Sequence, residues 1–290
     1  MTAGGGMPKS VVIDSFAESV TRYRDGWAVV VVDVIRATTT AVTAAAGGRR
    51  CFPAPNVAAA LAIAGSLSNP LLAGESSGAM PASFEMDNSP AQLAGRTDTH
   101  RPLILVSSSG TRVIHEATGC EAVYLACFRS YSRLAVHLAR RHPRVAVIGA
   151  GSKGEFREED QICCAWIAAA LMRRGYAPGS ARTTEVVGRW RDAAPTACLC
   201  SRSVDFLRRT GQLRDLDFIL GHIDDLPQVF EIRNGEVRTV DPGSASAAKS
   251  KTVQDVRFSQ ERQLEINELQ QKNAQLGRSW VAVRGEFDDR

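Results

Sequence analysis

The sequence predicts an α/β protein in which a mostly parallel sheet is covered by helices, and two patterns support this fold class. Strand-like and helix-like segments alternate between residues 10 and 240, as they do in chains of βαβ units. The run VVVVDVI, from Val29 to Ile35, is apolar without alternation, which is typical of a strand buried on both faces. The chain has 290 residues, enough for one large α/β domain or two smaller ones.

The first predicted elements follow from this alternation. Residues 28–35 form a strand, and TTTAVTAAA, from Thr38 to Ala46, begins a helix. Residues 56–67 are a second helix, for which Asn56 supplies the side-chain cap. Residues 71–73 are a short apolar strand that leads into the loop GESSGAMP.

The next elements continue the same rhythm. An apolar strand over residues 103–106 is followed by SSSGTRVIHEA, a loop that enters a helix. Residues 122–127 are a strand, 130–142 a helix, and 145–148 a strand that ends in GAGSKGE. Residues 158–174 predict a strongly amphipathic helix, because acids at its start and arginines at its end complement the helix dipole.

The sequence changes character after residue 240. Residues 241–251 (DPGSASAAKSK) are typical of a linker, so we expect residues 1–240 to be the α/β domain and 252–290 a C-terminal helix with a short tail. A heptad pattern in that helix has at its a and d positions Ile266, Leu269, Asn273 and Leu276. It favours self-association and hence a homo-oligomer, although a solvated helix packed on its own domain explains the pattern equally well.

Composition and charge exclude several classes of function. The net charge is +4 and no Lys/Arg block is present, which argues against nucleic-acid binding and is compatible with a small anionic substrate. No apolar run approaches the roughly 20 residues of a membrane span, and MTAGGGMPKS lacks the apolar core of a signal peptide. We therefore expect a cytoplasmic protein. Its seven cysteines and five histidines show no metal-ligand spacing, so oxygen atoms are the expected ligands of any metal.

Three loops between a strand and a helix each contain hydroxyls and a cation, and the second and third also contain glycine. They are Asp33–Thr40, Ser107–Arg112 and Gly149–Glu155. Because parallel sheets bind ligands at the carboxyl ends of their strands, we expect the three loops at one edge, as an anion site with Arg36, Arg112 and Lys153. Helix capping, and an ion pair of Arg112 with Glu116, are alternatives. The third loop also matches the dinucleotide pattern G-x-G-x-x-G, but no strand ending in an acid follows about 20 residues later.

Carboxylates beside these loops suggest a cation. Asp33 follows four valines, and burying it is costly without an arginine, a metal ion or a substrate cation as partner. Glu75 follows a short strand, and Glu158, Glu159 and Asp160 open a helix, where acids also simply complement the dipole. Hard oxygen ligands beside an anionic substrate suit Mg²⁺.

Five blocks of the sequence, in this order and spacing, resemble the 2-phosphosulfolactate phosphatase family. They are VVVVDVIRATTTAVTAAAGG, LLAGESSG, FEMDNSP, SSSGTRVI and GAGSKGEFREEDQIC. The resemblance covers about residues 10–240. It implies a Mg²⁺-dependent acid phosphatase that cleaves 2-phosphosulfolactate to sulfolactate and phosphate, with two α/β subdomains and a site between them. The chain departs from the family pattern at four motif positions: Ser76, Glu85, Asp87 and Ser109.

The residues and the resemblance together define a candidate site. The expected catalytic residues are Asp33, Glu75, Asp160 and Cys163, with Asp33 and Glu75 also binding the metal; a buried core thiol is the alternative for Cys163. The expected substrate-binding residues are Arg36, Thr38, Thr39, Thr40, Asn88, Ser89, Ser108, Ser109, Gly110, Thr111, Arg112, Gly151 and Lys153. Two other functions remain open: a diverged enzyme that eliminates or transfers sulfate or phosphate, and an anion-binding interaction protein.

Overall fold

The computed structural model describes residues 8–240, so the predicted linker and C-terminal helix lie outside the described residues. Ten strands are present in that range: Ser10–Ser15 (β1), Ala28–Val32 (β2), Cys51–Ala54 (β3), Leu71–Gly74 (β4), Leu103–Val106 (β5), Ala122–Ala126 (β6), Arg144–Gly149 (β7), Ala177–Pro178 (β8), Val229–Arg233 (β9) and Glu236–Val240 (β10). Together they confirm the predicted α/β class.

The helices surround this sheet. Nine α-helices lie between residues 8 and 240: Ala37–Ala46 (α1), Val57–Ala64 (α2), Pro90–Ala94 (α3), Gly110–Glu116 (α4), Tyr131–Arg141 (α5), Glu158–Met172 (α6), Ala181–Trp190 (α7), Arg202–Arg209 (α8) and Leu213–Gly221 (α9). Two 3-10 helices, Ala17–Tyr23 and Pro195–Cys200, complete the set. In the part of the chain that is described, no helix combines the length and the apolar character needed to cross a membrane.

All ten strands form one sheet, in the order β4-β5-β3-β10-β9-β6-β2-β7-β1-β8. Strands β4, β5 and β3 run parallel to one another, and so do β6, β2, β7, β1 and β8. The antiparallel hairpin of β9 and β10 lies between these two groups and pairs antiparallel with both. The two parallel halves therefore run in opposite directions. The division into two subdomains stays a prediction, because the halves share one sheet.

Strand β2 is buried on both faces, as its valines predict. Val30 and Val32 pack in one core with helix α6, while Val29 and Val31 pack in the other with helices α1 and α4. Asn56 caps α2 as predicted, accepting a hydrogen bond from the Ala59 N–H at 2.9 Å.

Helix α6 corrects one expectation from the sequence. The predicted amphipathic helix would have a solvated face, but α6 is buried almost all round, between α5, α7 and the 3-10 helix Pro195–Cys200. Its first-turn acids Glu159 and Asp160 are therefore inside the protein. They are not the solvated dipole-complementing charges that the sequence allowed.

Candidate active site

Asp33 occupies the turn between β2 and α1. Its carboxylate accepts a hydrogen bond from the Ala37 N–H at 3.0 Å, and its own N–H donates to Thr38 Oγ1 at 2.9 Å. The side chain is buried, and this burial, helped by the nearby charge of Glu75, raises the pKa of Asp33 to about 6. The fold thus places an acid with a perturbed pKa at the end of a core strand, as catalytic and ligand-binding sites do.

The three threonines of this turn stabilise it from within. Thr38 Oγ1 lies 2.7 Å from the carbonyl oxygens of both Asp33 and Ala126, and Thr39 Oγ1 donates to the Val34 carbonyl at 2.7 Å. Thr40 Oγ1 donates to the Arg36 carbonyl at 3.1 Å. Since each hydroxyl hydrogen already has a backbone acceptor, these contacts shape the turn, and substrate binding by the threonines stays a prediction.

The loop after β5 reaches Asp33 from the other half of the sheet. A Cβ built on Gly110 would lie only 2.4 Å from Asp33 Oδ2, so the start of α4 is in direct contact with the carboxylate. Ser107 and Thr111 bond each other through two backbone-to-hydroxyl contacts that fix this loop. The predicted common edge is therefore wrong for this loop, because its half of the sheet runs the opposite way. The contact of Gly110 with Asp33 nevertheless brings this loop against the first one.

Glu75 links the loops after β4 and β5. Its Oε1 accepts from the Ser108 N–H at 2.6 Å, and its Oε2 accepts from Ser108 Oγ at 2.8 Å and the Gly78 N–H at 2.7 Å. Ser109 follows at the start of α4 and is half-buried. Three hydrogen bonds thus hold the Glu75 carboxylate in place. Its charge also raises the pKa of Asp33, although burial is the larger cause of that shift.

Asp160 joins the first and third loops. Its Oδ1 accepts from the Val34 N–H at 2.8 Å and its Oδ2 accepts from the Gly151 N–H at 3.2 Å. Burial, then the charge of Asp33, holds the pKa of Asp160 well above its usual range. Gly151 has a φ of 59°, and a Cβ there would meet the Phe16 ring at 2.6 Å. The positive φ and this close approach are sufficient to require a glycine at position 151.

Arg36 contacts two acids. Its Nη1 donates to Asp215 Oδ2 at 2.7 Å and its Nη2 to Asp87 Oδ2 at 3.2 Å. Ser89 Oγ donates to Asp215 Oδ1 at 2.5 Å, which places Ser89 in the same network. Sequence reasoning missed Asp215, which looks like an ordinary first-turn acid of α9 and lies far from every motif.

Four other predicted residues lie apart from this network. Arg112 is exposed and its ion-pair partner is Glu18 at 3.5 Å, not Glu116. Lys153 is exposed on the turn that joins Ser152 and Glu155. Asn88 is buried, and its Oδ1 accepts no hydrogen bond from residues 8–240.

The fourth is Cys163. It is completely buried in the core around α6, and this burial raises the pKa of its thiol well above the usual range. The helix position that suggested a thiolate is therefore outweighed by desolvation. The structure favours the core-thiol alternative.

Acidic side chains are concentrated at the centre of the site. The acids Asp33, Asp87, Glu159, Asp160 and Asp215 are all buried or half-buried, and Arg36 is the cation among them. Glu159 is completely buried, and this burial raises its pKa although the hydroxyls of Ser203 and Ser201 lie close enough to oppose the shift. Wherever these acids are ionised they repel an entering anion, and a cation that entered with the anion would offset that repulsion.

The described residues offer few protein ligands for a magnesium ion. Residues 8–240 contain no group of three or more His, Cys, Asp or Glu side chains placed to hold a metal. Asp33 and Glu75, which interact electrostatically, offer two carboxylates. Mg²⁺ commonly binds through one or two carboxylates and fills its other positions with water and substrate phosphate oxygens, so Asp33 and Glu75 are the residues that would hold it.

Comparison with known proteins gives a consistent result. A chain from Symbiobacterium thermophilum named probable 2-phosphosulfolactate phosphatase is 31% identical over 205 residues, which is 69% of this chain and 81% of that one. A protein of the same name from Clostridium perfringens is 25% identical over 222 residues, 74% of this chain and 89% of the relative. The sequence model described as 2-phosphosulpholactate phosphatase matches residues 15–235. The match spans every loop described above, and the chain therefore belongs to the 2-phosphosulpholactate phosphatase family.

Proposed function

We propose that this protein is a Mg²⁺-dependent phosphatase that hydrolyses a small 2-phospho acid such as 2-phosphosulfolactate. Family membership supports phosphoric monoester hydrolysis. The single structural observation behind the metal is the excess of buried acids over cations around Asp33. A phosphate monoester that carries a second acidic group needs positive charge to enter such a site.

Each residue of the site has a role in this proposal. Asp33 and Glu75 would hold Mg²⁺, which when bound supplies positive charge to the phosphoryl oxygens. The Ala37 N–H and the backbone at Gly110 hold the Asp33 carboxylate in place. Arg36 orients the ester, because a guanidinium can donate two parallel hydrogen bonds to a phosphate or carboxylate. Asp160 keeps the first and third loops together around the reacting group.

A phosphate-release assay tests the proposal. We expect turnover of 2-phosphosulfolactate and 2-phospholactate with Mg²⁺, loss of turnover after exhaustive chelation, and recovery when Mg²⁺ is returned. A phosphate ester without a second acidic group, such as ethyl phosphate, is the matched substrate control and should react more slowly. Full activity in the chelated enzyme would remove the metal from the proposal, and no turnover of any 2-phospho acid would refute the phosphatase activity itself.

The same samples separate the alternative functions. Calorimetry of a binding protein would show heat of association with the ligand recovered unchanged, whereas a diverged enzyme would consume its ligand and form an elimination or transfer product instead of the free alcohol. A cytoplasmic location and a homo-oligomeric state stay predictions from the sequence.

A further inference from the structure

The two acids on Arg36 differ in how firmly they are held. Asp215 is 3% exposed at its side chain and lies 2.7 Å from Arg36 Nη1, whereas Asp87 is 23% exposed and lies 3.2 Å from Nη2. Both distances join a guanidinium nitrogen to a carboxylate oxygen. The difference suggests that the two ion pairs have separate roles.

Asp215 is the fixed partner of Arg36. Its second oxygen, Oδ1, accepts hydrogen bonds from Ser89 Oγ at 2.5 Å and from the Ala91 N–H at 3.1 Å. Helix α9 therefore holds both Arg36 and the start of α3 through one buried carboxylate. A buried ion pair with its remaining lone pairs satisfied is costly to break, so Asp215 keeps the guanidinium in one orientation.

Asp87 is the exchangeable partner. The oxygen that faces Arg36, Oδ2, also accepts from Gln212 Nε2 at 2.7 Å, and Oδ1 accepts from the adjacent Asn88 N–H at 2.6 Å. If Asp87 released Arg36, both of its oxygens would keep a donor. Arg36 is 5% exposed at its side chain. It has five N–H donors and the two acids use one each, so three donors are not used by these acids.

We propose that Asp215 positions Arg36 for the substrate, and that Asp87 is an internal competitor that weakens the binding of anionic ligands at the same guanidinium. This inference rests on the proposed function, in which Arg36 binds the substrate. An anion that approaches Arg36 meets the negative charge of Asp87 a few ångströms away. Binding strength is then set by the balance between Arg36 and Asp87, and Asp87 limits the affinity for phosphate and carboxylate groups.

Three matched variants test the two roles. Asp87→Asn keeps the shape and removes the competing charge, Asp215→Asn removes the charge that fixes Arg36, and Asp217→Asn, at an exposed position of α9, is the control. Two readouts are needed: KM and kcat for 2-phosphosulfolactate, and the Kd of inorganic phosphate by calorimetry. The phosphate measurement does not depend on turnover.

The expected changes have opposite signs. Asp87→Asn should lower both KM and the phosphate Kd by roughly three- to tenfold, the size expected for removing one like charge at about 7 Å in a partly screened site. This gain should shrink as salt rises from 50 to 500 mM, because screening weakens the repulsion. Asp215→Asn should lower kcat by more than about tenfold and weaken phosphate binding, and Asp217→Asn should change neither.

Specific outcomes overturn the inference. The inference is overturned if Asp87→Asn binds phosphate no more tightly than wild type, or if its gain in affinity does not depend on salt. It is also overturned if none of the proteins binds phosphate. If Asp215→Asn does not fold, Ser89→Ala removes a hydroxyl that donates to Asp215 and also caps α3 through the Gln92 N–H. It should lower kcat in the same direction by a smaller factor, and wild-type kcat there would refute the positioning role. If the wild-type protein turns over 2-phosphosulfolactate but Asp87→Asn binds phosphate no more tightly than wild type, this inference alone is refuted. Tighter phosphate binding without any turnover would refute the proposed activity alone.

Discussion

Replacing Gly110 by alanine should misplace the Asp33 carboxylate while leaving the protein folded. A Cβ at position 110 would lie 2.4 Å from Asp33 Oδ2, 2.8 Å from the Ala37 Cβ and 3.0 Å from the Asp33 Cβ. Ordinary contacts begin at 3.4 Å, so the turn after β2 and the start of α4 must separate by about 1 Å. All three neighbours belong to that turn and to the start of α1, and the strain therefore falls on the site.

The effect on the reaction should exceed the effect on stability. A misplacement of about 1 Å can cost a factor of ~100 in rate, which is ~2.7 kcal/mol of barrier height. Overpacking should cost about 1–3 kcal/mol of the free energy of unfolding, partly offset because alanine favours a helix over glycine by ~1 kcal/mol.

The assay compares kcat at saturating substrate with urea unfolding of the same preparation. Gly188→Ala is the matched control, because a Cβ at that position of α7 has no heavy atom within 4 Å among the described residues. It should keep the wild-type kcat and gain up to ~1 kcal/mol of stability. If Gly110→Ala kept more than about a third of the wild-type kcat, the contact between α4 and Asp33 would not matter for the reaction.

Three further changes test other parts of the structure. Asp33→Asn should lower kcat by more than ~100-fold with little change in the urea midpoint; wild-type turnover would exclude Asp33 from the mechanism. Cys163→Ala should keep kcat within about twofold and lose about 1–2 kcal/mol of stability as a core truncation, whereas complete loss of activity in a folded variant would restore the thiol as a nucleophile. Burial, followed by the charge of Arg141, lowers the pKa of His137 to about 4, so the unfolded chain binds a proton that the native protein does not between about pH 6.5 and 4. The free energy of unfolding should fall as pH drops through that window. The slope of that free energy against pH should be shallower in His137→Gln, by an amount equivalent to at most one bound proton. A slope identical to that of the wild type would show that His137 titrates normally.

Features encoded locally were predictable from the sequence. The valines of β2 and the carboxylate of Asp33 that follows them indicated a buried strand that ends in a functional turn. The buried strand and the turn are present, and the function of the turn stays a prediction. The strand ends at Val32 and not at residue 35, because the Asp33 carboxylate accepts the hydrogen bond of the Ala37 N–H and so starts the turn into α1.

The hairpin of β9 and β10 left a signal that our sequence analysis did not use. Asn234 and Gly235 separate two strand-like runs, and both have positive φ, 51° and 75°, as the tight turns of two-residue hairpins require. The role of Asp215 left no such signal. Its contact with Arg36 joins residues 179 positions apart, and only the packing of α9 against α3 brings them together.

The position of that hairpin has a consequence for how the chain folds as it is synthesised. Every strand of the two parallel halves precedes residue 229 in the sequence, so both halves can form before β9 and β10 emerge from the ribosome. Until then β3 and β6 are open sheet edges whose backbone N–H and C=O groups can pair with another chain. These late, long-range pairings also raise the contact order, which slows folding. If the halves form in that order, the two open edges at β3 and β6 are closed by the final twelve described residues, Val229–Val240.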